Sequence, residues 1–172
     1  STAGGVAQCS FTCQENYFDV NEDPNDGCEC SPVPGDDLAG DGVDTDCDGI
    51  DGQKLQGIFV AKNGSDIAAG TIDDPVLSIG EGIARASQFG KRDVYVATGV
   101  YSESIVLAEG VGVYGGYSSD FTEHNSVLFE TAIIGQNPTG NTPGAVTGVE
   151  LGKGGPNPTV LDGFTIFGAN AA

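Results

Sequence analysis

The chain has 172 residues, with 25 Asp and Glu against six Lys and Arg and a formal net charge of −19. No basic surface exists to displace counterions from nucleic acid, and no apolar run approaches the ~20 residues of a membrane span. The length fits one ordinary domain with a small extra module, and the missing initiating methionine fits a processed or excised segment.

Residues 1–52 carry thirteen of the acids, and the first basic residue after the amino terminus is Lys54. Such a segment cannot neutralise itself through salt bridges, so it must stay solvated or recruit cations. All five cysteines, Cys9, Cys13, Cys28, Cys30 and Cys47, fall inside it. Clustering in a stretch too small for its own core favours disulfides in an oxidising compartment. A zinc set of Cys9, Cys13, Cys28 and Cys30 is disfavoured by the single residue between the last two. The odd count leaves one thiol free, paired to another chain or orphaned by processing.

Two stretches place oxygen ligands at alternate positions. Asp19-Val20-Asn21-Glu22-Asp23 has the form D-x-N-x-D, followed by Asp26-Gly27. Asp44-Thr45-Asp46-Cys47-Asp48-Gly49 is D-x-D-x-D-G, followed by Asp51. Calcium takes six to eight oxygens, and alternate residues of a tight loop point theirs inward around a glycine turn. An EF-hand would need a bidentate Glu where Leu55 stands, and the flanking helices are missing. The pattern therefore predicts two helix-less Ca²⁺ loops, with Asp19, Asn21, Asp23 and Asp26 in one and Asp44, Asp46, Asp48 and Asp51 in the other. The competing reading is a solvated acidic linker.

Beyond residue 53 the composition changes to short β-branched runs bounded by Gly, Asn, Asp or Pro. They are Ile58–Val60, Val94–Val96, Ser104–Leu107, Val111–Tyr114, Ala132–Ile134, Val146–Leu151 and Phe164–Phe167. Runs of this kind read as strands. With Val96, Val113, Ile133, Val149 and Ile166 taken as equivalents, the steps are 17, 20, 16 and 17 residues. A near-constant step without intervening helices predicts a coil. One segment differs: Ser78-x-x-Glu81 has capping-box form, Ile79, Ile83 and Ala86 share a stripe, and Phe89-Gly90 stops the run. A short amphipathic helix over 78–89, covering the coil's open end, is expected.

The residues Cys13 to Cys30, with Tyr17-Phe18-Asp19-Val20-Asn21 and Pro24-Asn25-Asp26-Gly27-Cys28-Glu29, resemble a cysteine motif of secreted proteins of myxobacteria and related delta-proteobacteria. Asp44 to Gly52 is similar to thrombospondin type 3 calcium repeats. Phe59 to Asp66, Gly70 to Ile79 and Val94 to Glu103 resemble the start of a pectate-lyase-like right-handed parallel β-helix of the DUF1565 type. The resemblance implies a mainly-β chain: a loop-rich disulfide and calcium module over 1–52, then a right-handed parallel β-helix over 53–172 with a capping helix at its start. It also raises polysaccharide lyase chemistry, which in that fold uses an Arg or Lys base beside calcium-binding acids.

The residues supply no such set. Lys153 is the only base among the coils, and Asp93, Glu103, Asp120, Glu123 and Glu130 show no pairing in their spacing. His124, the single histidine, reads as an exposed loop residue, and Tyr114, Tyr117 and Phe121 read as strand-end packing before sugar stacking. The expectation is thus a non-catalytic, secreted structural protein of the cell surface. It would be a filament or adhesive subunit that stacks head to tail as a homo-oligomer, with an extracellular glycan as a further partner.

Overall fold

The computed structural model describes residues 11–20, 23, 25–136, 144–153 and 155–168. Strand is the dominant regular structure, in nine short pieces: β1 (Gly57–Val60), β2 (Asp93–Ala97), β3 (Gly99–Tyr101), β4 (Ile105–Leu107), β5 (Gly112–Tyr117), β6 (Thr131–Ile134), β7 (Val146–Gly148), β8 (Val160–Asp162) and β9 (Phe164–Phe167). One helix, α1 (Ile79–Phe89), interrupts them. Every pairing between these strands is parallel. Three sheets result, in the orders β1-β2-β5-β8, β3-β6-β9 and β4-β7, and none closes on itself. From β2 onward, each successive strand enters the next sheet, and β5 returns to the first.

The strand list from sequence holds, with two additions. β3 and β8 escaped notice because Gly99-Val100-Tyr101 and Val160-Leu161-Asp162 are too short to show alternation. The assumed equivalences are corrected by the register. Val94 pairs with Val113 and Val113 with Leu161, while Tyr101, Ile133 and Ile166 form a separate ladder. Val149 lies beyond β7, and Val96 sits at an irregularity between Tyr95 and Ala97. After the first, which joins β2 and β5 out of register, the even steps therefore linked positions of different sheets. Long connections such as 118–130 stretch the second round of strands, which a constant period cannot describe.

Residues from all three sheets converge on one aliphatic cluster. Val94 and Val113 come from the first, Tyr101 and Ile133 from the second, and Ile105 and Leu107 from the third. Helix α1 adds Ile79, Ile83 and Ala86 to it and packs on β1, β2 and β4. Gly82 lets the helix approach, since a Cβ there would collide with Val60 and Val94. The expected capping box forms by half. Ser78 Oγ accepts from the Glu81 amide at 3.3 Å, but the Ser78 amide donates to Asp66 and the Glu81 carboxylate pairs with Arg85 at 2.7 Å. Glu103 takes the next two free amides, those of Ile79 and Gly80, at 2.9 Å each. Gly90 ends the helix in the left-handed region at φ 65°.

The other face of the first sheet is aromatic. Phe59, Tyr95 and Tyr114 stand in register across β1, β2 and β5, with Asp162 of β8 next in line. The acidic segment covers this face. Ile50 packs with Phe59, Tyr95, Tyr117 and Phe121, and Ala39 joins them. Parallel sheets require cover on both sides, which explains why every residue of β1 and β2 is buried. Gly52 and Gly57 make the cover fit, because a Cβ at either position would run into the Tyr95 ring.

Candidate functional site

Among the described residues of the acidic segment Ile50 is the one buried hydrophobic side chain, so its path is set by covalent links and by carboxylates. Two disulfides form, Cys13–Cys28 and Cys30–Cys47. Cys9 lies outside the described residues, as does Asn21. Phe18 and Cys30 make a short antiparallel bridge between the two linked loops. No helix among the described residues is long and apolar enough to cross a membrane.

The D-x-D-x-D-G stretch folds back on its first residue. Asp44 accepts from the amides of Asp48 at 3.1 Å and Gly49 at 2.9 Å, and Gly49 makes the turn at φ +94°. Asp46 accepts from Asp48 at 3.2 Å. Asp48 turns elsewhere, to the Lys54 amide at 2.9 Å. Burial pushes its carboxyl up to about 6, with Asp46 and Asp44 adding to the rise against the Lys54 and Ile50 amides. Asp51 points into the fold, accepting from Gly40 at 3.0 Å, Gly42 at 2.8 Å and His124 Nδ1 at 2.8 Å. In the first loop, Asp23 accepts from Asn25 at 2.9 Å and Asp26 donates its amide to Asp23. Asp19 Oδ1 is buried with no hydrogen-bond partner.

Among the described residues the structure gathers one group able to hold a cation, Asp37, Asp44 and Asp46, with an oxygen of each within 4.8 Å of the others. Asp44 and Asp46 belong to the expected loop. Asp37 does not follow its spacing and comes from seven residues upstream of Asp44. It is fully buried, and its two oxygens accept from Thr45 and Gly52 at 2.9 Å each. Burial holds its carboxyl above the ordinary value despite those two amides, and Asp46 adds to the rise. Three hard oxygen donors of like charge, drawn together without a basic side chain among them, suit a hard divalent cation.

The alternatives of solvation or cation recruitment left out a third partner, the backbone amide. It satisfies much of the carboxylate excess here. A second correction concerns His124. Its side chain is 7% exposed, its ring lies 4.7 Å from that of Tyr117, and Nε2 is 2.9 Å from the Gly115 carbonyl. Both ring nitrogens thus face acceptors, the arrangement of an imidazolium. Burial opposes that charge, but the Asp51 bond and charge, with the Gly115 carbonyl, outweigh it and raise the ring above its ordinary value. No signal in the Glu123-His124-Asn125 stretch could have revealed a partner 73 residues away.

Glu103 caps α1, Asp93 pairs with Arg92 at 2.6 Å, and Lys153 stands exposed 3.8 Å from Glu150. Tyr117 and Phe121 are buried, while Tyr114 is partly exposed. Comparison of the chain with family models, with curated proteins and with solved structures returned no match.

Proposed function

We propose that the chain is a non-catalytic extracellular structural protein. It would be a calcium-stabilised right-handed parallel β-helix of the kind its sequence resembles in secreted myxobacterial-type proteins, serving as a subunit of a surface filament or adhesive scaffold. The observation that carries this reading is the rotation of successive parallel strands through three sheets around one aliphatic cluster, with α1 laid over β1. A stack of this kind is rigid along its axis, which suits a building element. The two disulfides favour an oxidising, extracellular setting.

Asp37, Asp44 and Asp46 would hold the Ca²⁺, which supplies the charge neutralisation this segment lacks. The orphaned Asp19 Oδ1 supports a second cation at the first loop. In this reading the ion braces the cover over the aromatic face. Assembly into a homo-oligomer by head-to-tail stacking belongs to this reading, and the outer edge of β1 is already taken by residues 70–76.

Two measurements test the proposal. EDTA should lower the melting temperature and speed proteolysis within residues 11–52, and unchanged values would remove the calcium reading. Electron microscopy of native protein in calcium should show linear assemblies, and compact monomers alone would remove the filament.

A further inference from the structure

The aromatic ladder Phe59–Tyr95–Tyr114 runs out from under its cover. Phe59 and Tyr95 are sealed beneath the acidic segment, at 2% and 0% exposure, but Tyr114 lies where that cover ends and lines a cavity of ≈ 310 Å³. The loop carrying Pro156, Asn157 and Pro158 lines it too, together with Arg92 and the exposed Asp36. The volume falls within the range of about 300–1,000 Å³ usual for small-molecule sites.

The walls are fixed before any ligand arrives. Tyr114 lies between Tyr95, 6.5 Å away centroid to centroid, and Gly40, where a Cβ would stand 3.2 Å from the ring. The 156–158 loop is pinned by the buried Thr159, whose Oγ1 accepts from Gly110 at 2.9 Å. Arg92 is held by Asp93 at 2.6 Å and by the Asp37 carbonyl at 3.3 Å. That leaves guanidinium donors unspent. Among the described residues, the Tyr114 hydroxyl, the Asp36 carboxylate and the Asn157 amide have no hydrogen-bond partner. A half-buried aromatic ring beside a planar amide, a carboxylate and a guanidinium is the donor, acceptor and stacking set that matches a pyranose: C–H groups on one face, paired hydroxyls on the edge.

Charge selects among sugars. Asp93 neutralises Arg92, while Asp36 at the rim has no basic partner among the described residues and the chain as a whole carries a net charge of −19. An acidic sugar would bring its carboxylate beside that of Asp36. We infer that the cleft between Tyr114 and the Pro156–Pro158 loop binds neutral pyranose units of an extracellular glycan. The inference rests on the burial of the sheet by the acidic segment and is independent of the calcium reading.

The test titrates the full chain, in calcium, with cellotetraose, maltotetraose, mannotetraose and tetragalacturonate, read by calorimetry. At least one neutral tetrasaccharide should bind at millimolar concentration or below, and tetragalacturonate should not. Tyr114→Ala should abolish binding. Because that change also trims the aromatic face, two exposed-rim variants, Asp36→Ala and Asn157→Ala, guard against misfolding: each should weaken binding about tenfold with an unchanged melting temperature. Absence of binding to all three neutral sugars would overturn the site. Binding unaffected by all three variants would do the same, and tighter binding of tetragalacturonate would overturn the neutral-ligand assignment. Protein whose melting ignores EDTA remains a valid sample, so the two proposals fail separately.

Discussion

The two faces of the β1-β2-β5-β8 sheet solve the same burial problem with opposite materials. One face is aliphatic and is covered by strands of the other two sheets and by α1, whose apolar stripe supplies Ile79, Ile83 and Ala86. The other is aromatic and is covered by a segment in which Ile50 is the only large aliphatic side chain in the cluster. The first cover holds through dispersion and exclusion of water. The second holds through disulfides, amide-bound carboxylates, Tyr hydroxyls on the carbonyls of Gln53 and Asp51, and the His124–Asp51 pair. The inner face should therefore respond to volume, and the outer face to redox state, pH and ions.

The tyrosine distribution makes the difference measurable. With no Trp in the chain, the near-ultraviolet circular dichroism at tyrosine wavelengths is weighted to the outer face, where Tyr95, Tyr114 and Tyr117 lie, against Tyr101 in the inner cluster. The largest effect is expected inside. Ile133→Ala, at a fully buried position shared by the sheets, should cost about 2–5 kcal/mol and lower both faces together in denaturant unfolding. A loss confined to the tyrosine signal would break the comparison from the inner side. Replacing Cys30 and Cys47 together by Ala should cost about 2–4 kcal/mol. It should erode the tyrosine signal while amide exchange protection of α1 persists. Equal loss of protection in α1 would show that the faces are not separable.

The third effect is pH dependence. The His124 ring is raised above about 6.5 in the folded state, so its contribution is full below that value. It is lost as pH rises through the raised folded-state value. Melting temperature should fall across this window in the native chain and stay flat in His124→Gln, whose stability below pH 6.5 should be lower by about 1–3 kcal/mol. A parallel pH profile in the variant would remove the clamp. The smallest effect belongs to the helix: Gly90→Ala, at φ 65° with open space around it, should cost about 1 kcal/mol or less and leave the tyrosine signal intact.

Much of the inner face was legible. The Ser78 cap, the Ile79–Ile83–Ala86 stripe and the Gly90 stop are local features, and the helix follows them almost to the residue. Most strands were visible because β-branched runs between glycines have few other uses. The register was not, since loops of unequal length separate strands that stack, and equal spacing led to false equivalents such as Val149. The acidic segment was legible in its parts and obscure in its partners. Asp44 and Asp46 of the D-x-D-x-D-G stretch lie together with Asp37, which comes from outside the pattern, while Asp48 and Asp51 turn to backbone amides and His124.

The sequence by itself determined that the first 52 residues would be rich in carboxylates and cysteines without a core, and that the remainder would be short strands broken by one capped helix. Those properties follow from composition and from interactions a few residues apart. Only the tertiary structure decided that the acidic segment is the lid of an aromatic sheet face, that the one histidine is clamped beneath it, and that Tyr114 is left at its margin. Each depends on contacts between residues tens of positions apart, where the energy lies in burial and in paired charges that no local pattern records.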